Sequence, residues 1–175
     1  MDTKALTGLH PARVYGSGAN STGIKKLPIA SGDARDMFTG DLVKVSLYYE
    51  ADGVPTWKKY WPANTSASNI EAMVMVDPDM TYYIGADASC TAGDIYLNFD
   101  LTLGSGNTAT GISGFGLKAA TRVATTAQVK AVGVKDIPGN DIDVATERAF
   151  PIMAVKILRS EMDQFAVNAS VVAPI

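Results

Sequence analysis

His10 is the single histidine of the chain, set between Leu9 and Pro11 in a glycine-rich opening stretch. A histidine acting as general base needs a rigid, partly desolvated seat and an orienting partner, and a stretch without periodicity offers neither. One histidine and one cysteine, Cys90, also remove the Ser-His-Asp and Cys-His triads, an internal disulfide and any His/Cys zinc cage. Cys90 is expected to be a buried, inert thiol. Hard oxygen ligands at spacing two occur twice, as Asp77 with Asp79 and as Asn140 with Asp141 and Asp143. Neither completes a calcium loop, and turn formation already explains both. Gly114-Phe115-Gly116-Leu117-Lys118-Ala119 spells a dinucleotide fingerprint without the preceding apolar strand or the following amphipathic helix that gives the motif its force. Gly111-Ile112-Ser113-Gly114 lacks the spacing of a nucleophile elbow. No catalytic, cofactor-binding or metal-binding residue is nominated, and no cofactor is expected. What remains is aromatic and apolar. Tyr48, Tyr49, Trp57, Tyr60 and Trp61 form a dense group suited to packing in a core or interface, or to a carbohydrate platform.

The composition narrows the class further. With 175 residues there is material for one domain with a sizeable core, and 19% charged against 47% apolar residues excludes a chain disordered throughout. A net charge of -3 argues against a free-standing nucleic-acid binder, which needs an excess of Lys and Arg to displace counterions. Lys25-Lys26 and Lys58-Lys59 read as solvated strand edges. Met1-Asp2-Thr3-Lys4 leads into no apolar segment, and no run approaches the ~18 apolar residues of a membrane span. The expectation is a protein kept in the cytosol or assembled there, without a membrane partner.

The elements that must carry these residues are strands. From Gly93 to Gly104, Ile95, Leu97, Phe99, Leu101 and Leu103 alternate with Asp94, Tyr96, Asn98, Asp100 and Thr102, predicting one half-buried strand about 30 Å long. Residues 1–23 have no sustained period and read as an extended arm. Strands are predicted within 25–29, 42–50, 56–61, 70–76, 80–84, 129–134 and 151–158, while 117–131 combines a partly helical, Ala-rich composition with β-branched residues that lean toward strand. A turn is expected at Ser31 to Asp36, a hairpin at Asp52-Gly53, a corner at Asp77-Pro78-Asp79 and a further turn at Asp136 to Asn140. Gly104 to Gly116 reads as a loop that is functional or disordered, and Ser160 as the cap of a short helix. Phe165 to Ile175 carries no charge and is β-branched and apolar, so it should pair with a sheet edge or a neighbouring chain. The sum is an all-β sandwich or barrel-like domain over 24–164, with arms at 1–23 and 165–175.

Four runs taken in order resemble a known group. Ile24-Lys25-Lys26-Leu27-Pro28-Ile29-Ala30-Ser31-Gly32, Phe38-Thr39-Gly40-Asp41-Leu42-Val43, Trp57-Lys58-Lys59-Tyr60-Trp61-Pro62 and Met75-Val76-Asp77-Pro78-Asp79 resemble the motif order of small structural proteins of tailed bacteriophage virions. The match covers about residues 24–160. The chain departs from that pattern in a short segment between Asp41 and the Asp52-Gly53 hairpin and in a longer apolar tail. The resemblance implies a head-associated decoration or cement protein, non-enzymatic, on the outer face of the capsid and assembled in the bacterial cytoplasm. Its implied partners are the major capsid protein and further copies of itself, as dimer or trimer. The contact residues expected on this reading are Tyr48, Tyr49, Trp57, Tyr60, Trp61, Phe165, Val167, Val171, Val172 and Ile175. A carbohydrate- or receptor-binding module of a phage tail or surface, using the aromatic hairpin and the Gly104 to Gly116 loop, is the alternative.

Overall fold

The structure is a computed structural model that describes residues 6, 8–12, 24–29, 31–41, 43–45, 48–50, 55–56, 60–68, 70–75, 80–123, 127–142 and 148–158. Within these, the strands in chain order are β1 (His10–Pro11), β2 (Ile24–Pro28), β3 (Met37–Phe38), β4 (Val43–Val45), β5 (Tyr48–Glu50), β6 (Pro55–Thr56) and β7 (Tyr60–Trp61). They continue with β8 (Ala67–Ser68), β9 (Glu71–Met75), β10 (Thr81–Gly85), β11 (Asn98–Thr102), β12 (Gly116–Val123), β13 (Val129–Val134) and β14 (Ile152–Ile157). A single 3-10 turn, Ala92–Asp94, is the helical element among the described residues. The all-β reading holds.

The principal sheet has the order β1-β10-β14-β13-β11-β12, antiparallel throughout. Its two ends come back together. Ala86, just past β10, bridges Leu117 of β12 in parallel, the Asp87 N–H donates to the Leu117 carbonyl at 2.9 Å, and the Gly8 N–H donates to the Phe115 carbonyl at 3.0 Å. The sheet therefore curls into a small barrel, and closure leaves few unpaired edges. Period-two alternation explains why the interior fills: Tyr82, Ile84 and Ala86, Leu117 and Ala119, Val129 and Ala131, Met153 and Val155 all point inward with Phe99 and Leu9 to form one buried cluster. Cys90 belongs to this cluster, fully buried as expected.

Smaller sheets lie beside the barrel, with orders β2-β9-β4, β3-β7 and β6-β5-β8. The strands that flank the expected Asp52-Gly53 hairpin pair as β5 and β6, Tyr48 opposite Thr56 and Tyr49 opposite Pro55, while Asp52 and Gly53 lie outside the described residues. The strand predicted over 42–50 is instead two strands in different sheets, and the predicted return strand splits likewise into β6 and β7. Lys25 and Lys26 do fall on β2, at the edge of its sheet among the described residues.

Three expectations need correction. Residues 8–12, expected within an extended arm, are built into the barrel: β1 pairs with β10, His10 opposite Tyr83, and Leu9 is buried in the core. A glycine at position 8 permits this, because its φ of 75° lies in the left-handed region and a Cβ there would sit 2.6 Å from the Ser113 Cβ. The strand predicted from Gly93 begins only at Asn98. Asp94 accepts the Thr91 N–H at 2.8 Å and turns the chain into the 3-10 element, and Tyr96 follows at φ 73°. At the far end Leu103 is 78% exposed rather than inward. Pairing with β12 stops at Thr102 opposite Gly116, so no wall stands over the next side chain. Finally, the loop from Gly104 to Gly116 is built against its surroundings, as described next.

Candidate functional site

The strongest convergence of sequence-selected residues lies where that loop meets the β3–β7 pair. Met37 is opposite Trp61 and Phe38 opposite Tyr60. The Phe38 and Tyr60 rings stack with centroids 5.0 Å apart and planes 9° from parallel. Gly106 covers Phe38 so closely that a Cβ there would lie 2.2 Å from the ring. Backbone bonds fasten the same junction: Thr39 N–H donates to the Gly111 carbonyl and Ser113 N–H to the Thr39 carbonyl, both at 2.9 Å, and Leu9 N–H donates to the Gly40 carbonyl at 2.8 Å. Asp41 closes its own turn by accepting the Phe38 N–H at 2.8 Å.

This arrangement holds the β3–β7 pair to the barrel. The buried Ser113 hydroxyl accepts the Phe115 N–H at 3.1 Å within its own turn. Trp61 is fully buried against Ile70, with Ile29, Met37 and Ala67 around it. A side chain with no exposed surface cannot meet a partner or a sugar, so its assignment as a contact residue is corrected to core. Tyr60 is half-buried in the stack. For Tyr48 and Tyr49 the structure describes the backbone of β5 alone. Trp57, Phe165, Val167, Val171, Val172 and Ile175 lie outside the described residues, as do Asp77, Asp79, Asp143 and the stretch from Ser160.

The remaining polar candidates are absorbed into backbone bonds. Asn140, suggested as an oxygen ligand, is buried: its Nδ2 donates to the carbonyls of Lys135 and Ile152 at 2.8 and 2.9 Å, and its Oδ1 accepts the Ile152 N–H at 2.8 Å. Asp141 beside it is exposed. Among the described residues no group of three or more His, Cys, Asp or Glu could hold a metal ion. Gly116 of the apparent dinucleotide fingerprint opens β12, so a strand follows where a helix would be needed.

Sequence reading missed the side chains that finish the barrel seam. Asp87 Oδ1 accepts the Ala119 N–H at 2.8 Å. Arg122 Nε donates to the Ala119 carbonyl at 3.0 Å and its Nη2 to the Ser89 carbonyl at 2.8 Å. The same Nε lies 3.4 Å from Asp94, whose side chain is almost wholly buried. Thr121 fills the bulge in the β11–β12 ladder by accepting the Asp100 N–H and donating to the Lys118 carbonyl. No local motif announces such bonds, since each partner is 21 or more residues away for Asp100, Ser89 and Asp87. At the surface, hydrogen bonds from Arg35 pull the Asp33 carboxyl down to about 2.

No family model, curated protein or solved structure matches the chain. Among the described residues no helix is long and apolar enough to cross a membrane.

Proposed function

We propose that this chain is a non-enzymatic structural protein of a tailed-phage virion, a decoration or cement protein that binds the outer face of the major capsid protein shell and stabilises it. The observation that carries the reading is how the motifs behind the resemblance come together. Phe38, which leads the Thr39-Gly40-Asp41 motif, stacks on Tyr60 of Tyr60-Trp61-Pro62, and β3 pairs with β7. Two weak motifs far apart in sequence thus form one structural unit, as markers of a shared framework should. The fate of the polar side chains points the same way: Asp87, Thr121 and Asn140 serve the backbone.

On this reading, binding to the shell uses the aromatic residues of β5, by apolar burial. Many copies on one shell then multiply a modest single contact. The glycan-binding alternative loses one of its aromatic residues with Trp61 in the core.

The test mixes the full-length chain with shells, lacking this protein, of the phage whose genome encodes it. Saturable co-sedimentation, added density on the outer surface by cryo-EM and survival of the shells at higher temperature are expected. Protein that remains in the supernatant at saturating concentration would overturn the proposal.

A further inference from the structure

The register places several features at one end of the barrel. The Ala12 N–H donates to the Thr81 carbonyl, Thr81 is opposite Lys156, Lys156 opposite Lys130 and Lys130 opposite Asn98. Beyond this common rung lie the exit of β1 at Ala12, the exit of β14 at Leu158 and the exit of β11 toward Leu103. One residue ties the last two together. The Gln128 carbonyl accepts the Leu158 N–H at 2.9 Å, while its Oε1 accepts the Leu101 N–H at 2.7 Å.

Leu103, two residues on, is one of two large apolar side chains exposed among the described residues, and within a single copy 78% of it stays open to water. The chain leaving Leu158 runs through six residues, Arg159 to Gln164, of which three are charged, and then through eleven with no charge, Phe165 to Ile175. Six residues span at most about 20 Å, enough to cross from one barrel end to a second one placed against it. The chain that leads to the uncharged stretch therefore leaves the barrel at the end where Leu103 is exposed.

We infer that this barrel end is a self-association face, on which residues 165–175 of a second copy pack over Leu103. Because donor and acceptor share one end, two copies facing each other satisfy both contacts at once. The exchange is two-fold and closes at the dimer, whereas donor and acceptor at opposite ends would give open chains. The inference does not rest on shell binding: a dimer in solution with no affinity for shells keeps it and removes the decoration reading.

Sedimentation of the full-length chain tests it, with Leu103→Glu, Val171→Glu and Tyr96→Glu beside the unaltered protein. Tyr96, the other exposed apolar residue at 69%, precedes β11 and so marks the opposite end of the barrel. A concentration-dependent dimer is expected, weakened about tenfold or more by each of the first two changes and unaffected by the third. Contact is mapped by mixing isotope-labelled Leu103→Cys with unlabelled Val171→Cys. Cys90 is buried and does not compete. A mixed-isotope disulfide between 103 and 171 supports the exchange. A monomer at all concentrations, a trimer or open series, equal weakening by Tyr96→Glu, or no mixed link overturns it.

Discussion

Asn140 shows what a single buried polar side chain does in this protein. Its amide makes three hydrogen bonds that join the turn after β13 to the start of β14. Asn140→Ala removes all three and leaves the Ile152 N–H facing a gap, so a loss of about 2–3 kcal/mol is expected in urea unfolding. Asn140→Asp keeps the acceptor but turns a carboxylate toward two carbonyls, which raises the carboxyl pKa in the folded state. A raised folded pKa means the penalty is smallest below the unfolded value and grows as pH rises through the folded one. That variant should therefore recover stability on acidification, measured as urea midpoints from pH 7 down to 4. Asp33 has the opposite sign. Arg35 donates to it through Nε, Nη2 and the backbone N–H, and its folded value of about 2 lies below the ordinary 3.8. Its contribution is present above the unfolded value and lost as pH falls toward 2. By NMR, Asp33 should titrate near 2 and return to the ordinary range in Arg35→Ala. Sequence alone offered Asn140 only as a turn former or oxygen ligand, because its partners are backbone groups that the later strand delivers.

At the level of elements, period two identified where strands run but not where they stop. β10, β13 and β14 all contribute to the core, but only β13 opens on strict alternation, since β10 buries Thr81 beside Tyr82 and β14 buries Met153, Ala154 and Val155 in a row. β11 does not begin where its alternation begins, because a local side-chain bond from Thr91 to Asp94 competes with the ladder and wins. Its end was equally hidden: Leu103 continues the pattern, yet the chain leaves the sheet to let Gly104 approach Gly114, where a Cβ would lie 2.2 Å from the carbonyl oxygen. The glycines of the following loop looked like flexibility in the sequence and prove to be close-packing sites. Gly106→Ala would drive a methyl into the Phe38 ring, so a loss of about 1–3 kcal/mol is expected, along with changed chemical shifts at Phe38 and Tyr60. Gly133→Ala is the control, since nothing lies within 4 Å of its added Cβ, and it should shift stability by less than about 0.5 kcal/mol. Equal effects from the two changes would mean that the loop does not bear on Phe38.

For the molecule as a whole, the question is what keeps the barrel closed, because β12 would otherwise offer a bare edge along which chains aggregate. Both backbone groups of Ala119 on that edge are held by side chains, the N–H by Asp87 and the carbonyl by Arg122. Asp87 reaches this edge from 32 residues away, whereas Arg122 belongs to β12 itself and crosses the seam through its second bond, to the Ser89 carbonyl. The all-β class was legible from alternation and turn spacing, whereas the closure was not, since it depends on residues that meet only after the sheet has curled. Asp87→Ala removes the acceptor for Ala119 while leaving the parallel bridge of Ala86 and Leu117 in place. The expected result is a folded protein about 1–2 kcal/mol less stable, with tenfold or greater loss of hydrogen-exchange protection at the Ala119 amide. Arg122→Ala should add a second effect by leaving the buried Asp94 carboxylate without its guanidinium, and the two changes together should be non-additive because they act on one peptide unit. The double variant, with the edge open at both groups, should form thioflavin-positive aggregates on warming where the parent stays soluble. If Ala119 keeps full protection in Asp87→Ala, then the core inside the curled sheet closes the barrel without help from its seam.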